Sequence, residues 1–378
     1  MLIYLGISAL AVFLSTLVLL VLGEPSLLAT THLVFAVAIL PLIFGAISYF
    51  VPVLTRSSGA HRTVLLVPLL LQASGFLAFL YFFGELGKGA LNFSAGVGLL
   101  VSIGFAGWLV FRARCTFGKP HPGWRWYLAA VAFLLVGLAL VPAMTLWPAW
   151  RHELRLLHLH LNTLGFIGLS AIGTLQVLLP TVLSGPDTEA AARLHSDLPH
   201  AVAGVLLCGL GAAFCWPLSM LGAALLSYVG CRLGLSWLRR YGLRTIFDDG
   251  ASAALATALC GFLLLLVFGL AHGVGLVSGH DAVSAFMTAF LMPLLSGALS
   301  QLLPVWRFPG RRTMQREQMR ELLVAGGAIR ALLFISAGSM LALGYREGLW
   351  LSAAGLLFFL YALIRSFCKP STLMSQKD

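Results

Sequence analysis

The chain has 378 residues, of which 60% are hydrophobic and 10% charged, and a mean hydropathy of +0.96. No water-soluble domain of this length is so apolar, so the composition excludes soluble enzymes and soluble binding modules and points to an all-α polytopic membrane protein. The formal charge of +11 would suit nucleic acid, but the basic residues lie in the links between apolar runs, where they orient a chain in a bilayer, and nucleic acid is excluded as a partner.

Apolar runs of about 18 to 25 residues, each able to cross about 30 Å of hydrocarbon as a helix, predict about twelve spans. In chain order they fall at 3–22, 30–53, 63–83, 92–112, 126–146, 157–182, 200–216, 218–236, 251–273, 282–304, 325–344 and 349–366. The first run lacks a basic leader and a small-residue cleavage site and is read as a retained helix. With the N-terminus in the cytoplasm, alternate links hold Arg56 and Arg62, then Arg112, Arg114, Lys119 and Arg125, then Arg193, then Arg232, Arg239, Arg240 and Arg244. The next holds Arg307, Arg311, Arg312, Arg316 and Arg320, with Arg330 just beyond, and Arg365, Lys369 and Lys377 close the tail. That puts 20 of the 24 basic residues inside, leaving Lys88, Arg151, Arg155 and Arg346 outside. The expectation is a multi-pass protein of a bacterial inner membrane, in contact with the lipid bilayer, with both termini cytoplasmic. Six scattered cysteines (115, 208, 215, 231, 260 and 368) without a CxxC pair give no expectation of a disulfide framework or a zinc knuckle.

Three spans, the second, sixth and tenth, align without gaps: PLIFGAISYFVPVLTR from Pro41, LSAIGTLQVLLPTVLS from Leu169 and PLLSGALSQLLPVWRF from Pro293. In each, a glycine precedes a proline by seven residues: Gly45 and Pro52, Gly173 and Pro180, Gly297 and Pro304. The copies are offset by 128 and 124 residues, close to a third of the chain. The repeat predicts one membrane domain over 1–378 made of three four-helix copies, at approximately 1–125, 126–250 and 251–378, arranged as three pseudo-symmetric arcs. An even number of helices per copy keeps all three in one orientation, whereas secondary transporters more often show inverted halves or two parallel ones.

Thirteen residues before the shared glycine stand His32 in the first copy and His160 in the second; the third has Ser284 there and His280 one turn earlier. His32 lies about 30 Å along the helix from Pro52, so prolines at the inner surface put these imidazoles near the outer edge of the hydrocarbon. His152, His158 and His272 join them on that side. Imidazole is a common ligand of haem iron, copper and zinc, and neutral nitrogen donors avoid the cost of burying charge. The candidate metal ligands are therefore His32, His158, His160, His272 and His280. His158 and His160 point about 200° apart on a helix, so one is expected to address the second span and the other the tenth. Asp281 and Glu153, beside His280 and His152, are candidates to orient the rings. Arg346, in the link YREG, is a candidate partner for a haem propionate, and Arg330 reads as a snorkelling or a functional cation.

Twelve spans in three sets of four, with histidines near the outer ends of the second, sixth and tenth, resemble the subunit I fold of haem-copper oxidases and nitric oxide reductases, and more distantly the NnrS-type membrane haem proteins. The segment HLHLNTLGFIGLSAIGTLQVLLP is similar to the HxHxNxxGW-like helix of small relatives of oxidase subunit I. The resemblance implies that His32 is an axial ligand of haem b, with His158, His160, His280 and Arg346 at the cofactor and copper as a further metal. The paired histidines that hold copper in true oxidases have no counterpart in AVAGVLLCGLGAAFCW, the seventh span, so a non-pumping member is implied. Electron transfer, nitric oxide handling or support of a respiratory metalloenzyme follow as expected functions, with other respiratory membrane subunits or a periplasmic electron carrier as partners. The competing reading is a transporter of a small solute or metal ion that uses the histidines as a translocation site. Its inner half would have to run past Tyr49, Gln176 and Gln301.

Overall fold

The computed structural model describes residues 1–23, 26–183, 185 and 187–368, without the side chain of His280. Twelve helices are long and apolar enough to cross a membrane: α1 Leu2–Leu22, α2 Leu27–Leu54, α3 Arg62–Phe83, α4 Lys88–Arg114, α5 Gly123–Leu146, α6 Pro148–Leu183, α7 Ala190–Phe214, α8 Trp216–Asp248, α9 Gly250–Gly273, α10 Asp281–Arg307, α11 Met314–Ala342 and α12 Gly348–Cys368. The protein is a polytopic membrane protein, with every expected span present. The second helix of each copy is the interior one. Of the most apolar 18 residues, 61% are buried in α2, 72% in α6 and 78% in α10, against 28 to 56% in the other spans.

The helices gather into two compact units. The first holds residues 1–177, 186–233 and 266–277, and so contains α1 to α5, most of α6, α7, the first part of α8 and the last turns of α9. Within it α2 meets α6 through Phe44 and Phe166, whose ring centroids are 5.7 Å apart, with the ring of Phe105 of α4 tilted against Phe44 at 4.6 Å. The second holds residues 178–185, 234–265 and 278–378, including α10 to α12. There Arg320 donates to Asp249 at 2.5 Å and to Gln301 at 2.9 Å, while Asp249 caps α9 by accepting from the Ala251 and Ser252 amides.

The three aligned glycines have similar surroundings. The shared glycine admits the first helix of its own copy: a Cβ on Gly45 would lie 2.7 Å from Leu5, on Gly173 2.8 Å from Trp126, and on Gly297 2.9 Å from the Ala251 carbonyl. A glycine on the third helix of each copy does the same nearer the histidine end, Gly75 against Ala36, Gly209 against Leu157 and Gly338 against Ala289.

Each repeat helix also changes winding at an equivalent place. Leu33–Ile39, Leu161–Gly168 and Phe286–Leu291 are π-helical, with α-helix on both sides. Pro41 and Pro293 stand two residues beyond two of these segments, where an α-helix would need an amide that proline lacks and would drive its ring into the carbonyl four residues back. The wider π turn relieves both constraints. The middle copy has Leu169 at that position and reaches the same winding with Gly165 and Gly168, where Gly165 presses directly on Phe133. Sequence patterning registered the helices but not this winding, because a π segment keeps the hydropathy of the α-helix around it.

Candidate functional site

His32 is the last α-helical residue before the π segment of α2, and His160 holds the same place on α6. π segments inside α-helices are rare and concentrate at functional sites. In the third copy the aligned Ser284 is one residue before the end of the α-helical turn.

Four imidazoles of the first unit share one local chemistry. The Nδ1 of His32 lies 2.8 Å from the Leu28 carbonyl, that of His158 2.7 Å from Gly137, that of His160 2.8 Å from Leu156, and that of His272 2.8 Å from Val277. A carbonyl oxygen only accepts, so in each ring Nδ1 carries a proton, and whenever the ring is neutral Nε2 holds the lone pair. None of these Nε2 atoms has a hydrogen-bond partner among the described residues. An imidazole whose outer N–H is tied to a carbonyl is oriented, fixed in tautomer and made a better donor to a metal.

The rings fall into two pairs. His32 and His158 lie close enough to interact electrostatically, and so do His160 and His272. The first pair spans α2 and α6, and the second α6 and the last turn of α9. His32 stacks on Phe82 with ring centroids 4.2 Å apart, which fixes its plane. Asn162 donates to the His158 carbonyl at 2.7 Å, and its amide fills the space over Gly137, so the NxxG that follows HxH on α6 builds the seat of His158.

The other sequence-selected residues are not shown beside these rings. His152 is exposed on the first turn of α6's α-helical stretch, and the side chain of His280 is outside the described residues. Arg346 is exposed in the turn between α11 and α12, in the second unit, whereas the four paired imidazoles are in the first. The expectation that Asp281 orients His280 lies outside the described residues; Asp281 accepts from the Ser278 hydroxyl at 2.5 Å, and Glu153 keeps a buried carboxylate oxygen unpaired among the described residues. Arg330 does not snorkel. It is fully buried, donates to the Leu323 and Ala325 carbonyls at 2.7 Å, and stands over the rings of Phe358 and Phe359, so it caps the α-helical turn Met314–Val324 within α11. Free backbone carbonyls at a helix C-terminus give that cation its partners without a carboxylate.

Sequence reasoning missed Gly137 and Phe82, which serve the imidazoles from other helices, and nothing in the local pattern around either marks that role. Among the described residues no three His, Cys, Asp or Glu side chains converge on one point. What the arrangement offers is imidazole nitrogens without a hydrogen-bond partner among the described residues. Comparison with family models, with curated proteins and with solved structures finds no match.

Proposed function

We propose that the protein is a membrane haem protein, a divergent and non-pumping relative of haem-copper oxidase subunit I, in which His32 and His158 would hold the iron of a b-type haem. One observation carries the reading: two imidazoles from the second and sixth spans lie close enough to interact electrostatically, each with Nδ1 tied to a carbonyl and Nε2 without a hydrogen-bond partner among the described residues. Two imidazole nitrogens are a donor set that haem iron accepts. When bound, haem b supplies a one-electron iron couple, and ligation by two histidines favours electron transfer over binding of a diatomic gas.

The surrounding residues perform the protein's share. Phe82 holds the His32 ring in plane, Asn162 and Gly137 hold His158, and the apolar contacts of Phe44, Phe105 and Phe166 keep water from the deeper side. Arg151 and Arg155, exposed on the turns before His158, are the cations of this unit placed to meet propionates. With the basic links in the cytoplasm, the site faces the periplasm of a bacterial inner membrane and would exchange electrons with a periplasmic carrier or a neighbouring respiratory subunit. The transport reading draws less support, since Gln301 is engaged by Arg320.

The absorption spectrum of the detergent-purified protein, with iron analysis, tests the reading. An intense Soret band with the sharp visible bands of low-spin reduced haem is expected, and His32→Ala and His158→Ala should each abolish the low-spin form. A colourless, iron-free protein overturns it, as does a haem spectrum that neither substitution alters; solute uptake into liposomes by a colourless protein would establish transport.

A further inference from the structure

The link from α10 to α11 is strongly basic: RFPGRRTMQR, residues 307–316, carries four arginines and no acidic residue. It is a folded turn. The Arg316 side chain donates to the Gly310 carbonyl at 3.3 Å, Gly310 takes a φ of 95° that favours glycine, and the Thr313 hydroxyl accepts from the Arg316 amide. Arg307, Arg311 and Arg312 are exposed on it. Glu317 approaches Arg312 only to 3.9 Å, with both side chains largely in solvent, and so neutralises little of this charge.

The end of α12 lies against the link. The Arg307 guanidinium stands 4.7 Å from the centre of the Phe367 ring and 5.8 Å from that of Phe308, while Arg365, exposed on the last turn of α12, stands 5.6 Å from the Tyr361 ring. A guanidinium over a ring uses its flat face and keeps its edge N–H groups for other partners. Among the described residues neither Arg307 nor Arg365 has a carboxylate within ion-pair distance.

An apolar stripe leads to these two cations. Trp350, Leu357, Tyr361 and Ile364 of α12 are each more than half exposed. At 3.6 residues per turn the other three fall within about 40° of Leu357, whereas Arg365 falls about 80° to one side and Phe367 about 80° to the other. The stripe therefore ends between Arg365 and the Arg307 that rests on Phe367. From Trp350 to Ile364 it runs about 21 Å, longer than the roughly 15 Å of hydrocarbon in one leaflet. A soluble phosphate or acidic peptide gains nothing from such a stripe, and a zwitterionic headgroup would bring an ammonium among arginines. A lipid with net negative charge matches both parts.

We propose that the end of α12 and the α10–α11 link form a binding site for one anionic phospholipid. Its chains lie on the Trp350–Ile364 stripe and its phosphodiester sits between Arg307 and Arg365, with Arg311 and Arg312 adding positive charge around the headgroup.

The test is native mass spectrometry of the full-length protein, delipidated in detergent and titrated with phosphatidylglycerol, with phosphatidylcholine of the same chains in parallel. One phosphatidylglycerol should be retained where phosphatidylcholine is lost. Arg307→Gln and Arg365→Gln should each weaken retention roughly 5-fold, and the double variant about 25-fold. Arg244→Gln, at an exposed arginine on α8, should leave retention unchanged. Equal retention of phosphatidylcholine overturns the proposal, as does unchanged retention in the double variant. Equal weakening in Arg244→Gln would reduce the effect to unspecific charge attraction, and displacement of the lipid by an equal concentration of glycerol phosphate would make the site one for a soluble anion; either overturns it as well.

Discussion

The Nδ1 atom of His158 on α6 stands 2.7 Å from the carbonyl oxygen of Gly137 on α5, so this ring is held by a neighbouring helix, whereas His32 and His160 bond carbonyls four residues back on their own. The orientation of His158 therefore depends on how closely α5 and α6 approach.

Gly137→Ala tests that dependence. A Cβ there would lie 2.5 Å from the Asn162 amide nitrogen, so α5 and α6 must part or Asn162 must move, and either displaces the seat of His158. Loss of such an outer partner weakens metal retention by about 10- to 100-fold. Haem content per chain should fall in Gly137→Ala and hold in Gly96→Ala, whose new methyl on α4 meets nothing within 4 Å.

Close approach also sets the stability of the second unit. A methyl on Gly261 would sit 1.9 Å from the Ala289 carbonyl at the π segment of α10, so Gly261→Ala should cost about 1 to 3 kcal/mol or more through overpacking. Gly107→Ala on exposed α4 surface, with nothing within 4 Å, should be neutral or gain up to about 1 kcal/mol from lower chain entropy. Thermal unfolding in one detergent, with both variants compared to the parent, decides this.

Asp249 has two duties, capping α9 and pairing with Arg320. Asp249→Ala removes both and should cost about 2 kcal/mol, since both side chains keep some exposure and solvent screens the pair. Asp249→Asn should retain most of the capping share, and a double-mutant cycle with Arg320→Met should return a coupling of about 1 kcal/mol. A cycle showing no coupling would make the ion pair energetically idle.

His121, in the link between α4 and α5, has its pKa lowered by burial, and its Nδ1 accepts from the Gly123 amide at 3.3 Å. Its backbone amide also bonds the Leu54 carbonyl at the end of α2. The folded link prefers the neutral ring, so the unfolded chain takes up the proton first, and stability is full above the ordinary histidine pKa of about 6.5 and falls as the pH drops below it. Unfolding midpoints followed from about pH 8 to pH 5 should show a decline that is smaller in His121→Asn.

Where the expected spans stop short, charge on a continuing helix is the reason. The seventh was expected from 200 and begins at Ala190, because Arg193 and Asp197, the first bonded to Asp187 and the second to Arg232, are buried in pairs that a hydropathy pattern reads as a link. The eighth was expected to end at 236 and runs to Asp248 past Arg239, Arg240 and Arg244, with a break in winding at Gly242. The eleventh was expected from 325 and starts at Met314, its polar first stretch capped by buried Arg330.

By itself the sequence determined a polytopic helical membrane protein, its twelve spans and a glycine-proline repeat in three of them, since hydropathy and spacing act along the chain and can be read there. Tertiary structure decided what holds each side chain: His158 took its tether from Gly137 on α5, and Arg330 turned inward to carbonyls. Those outcomes depend on angstrom-scale approach between helices distant in sequence, set by where a missing Cβ lets two backbones touch, and no local pattern encodes that distance.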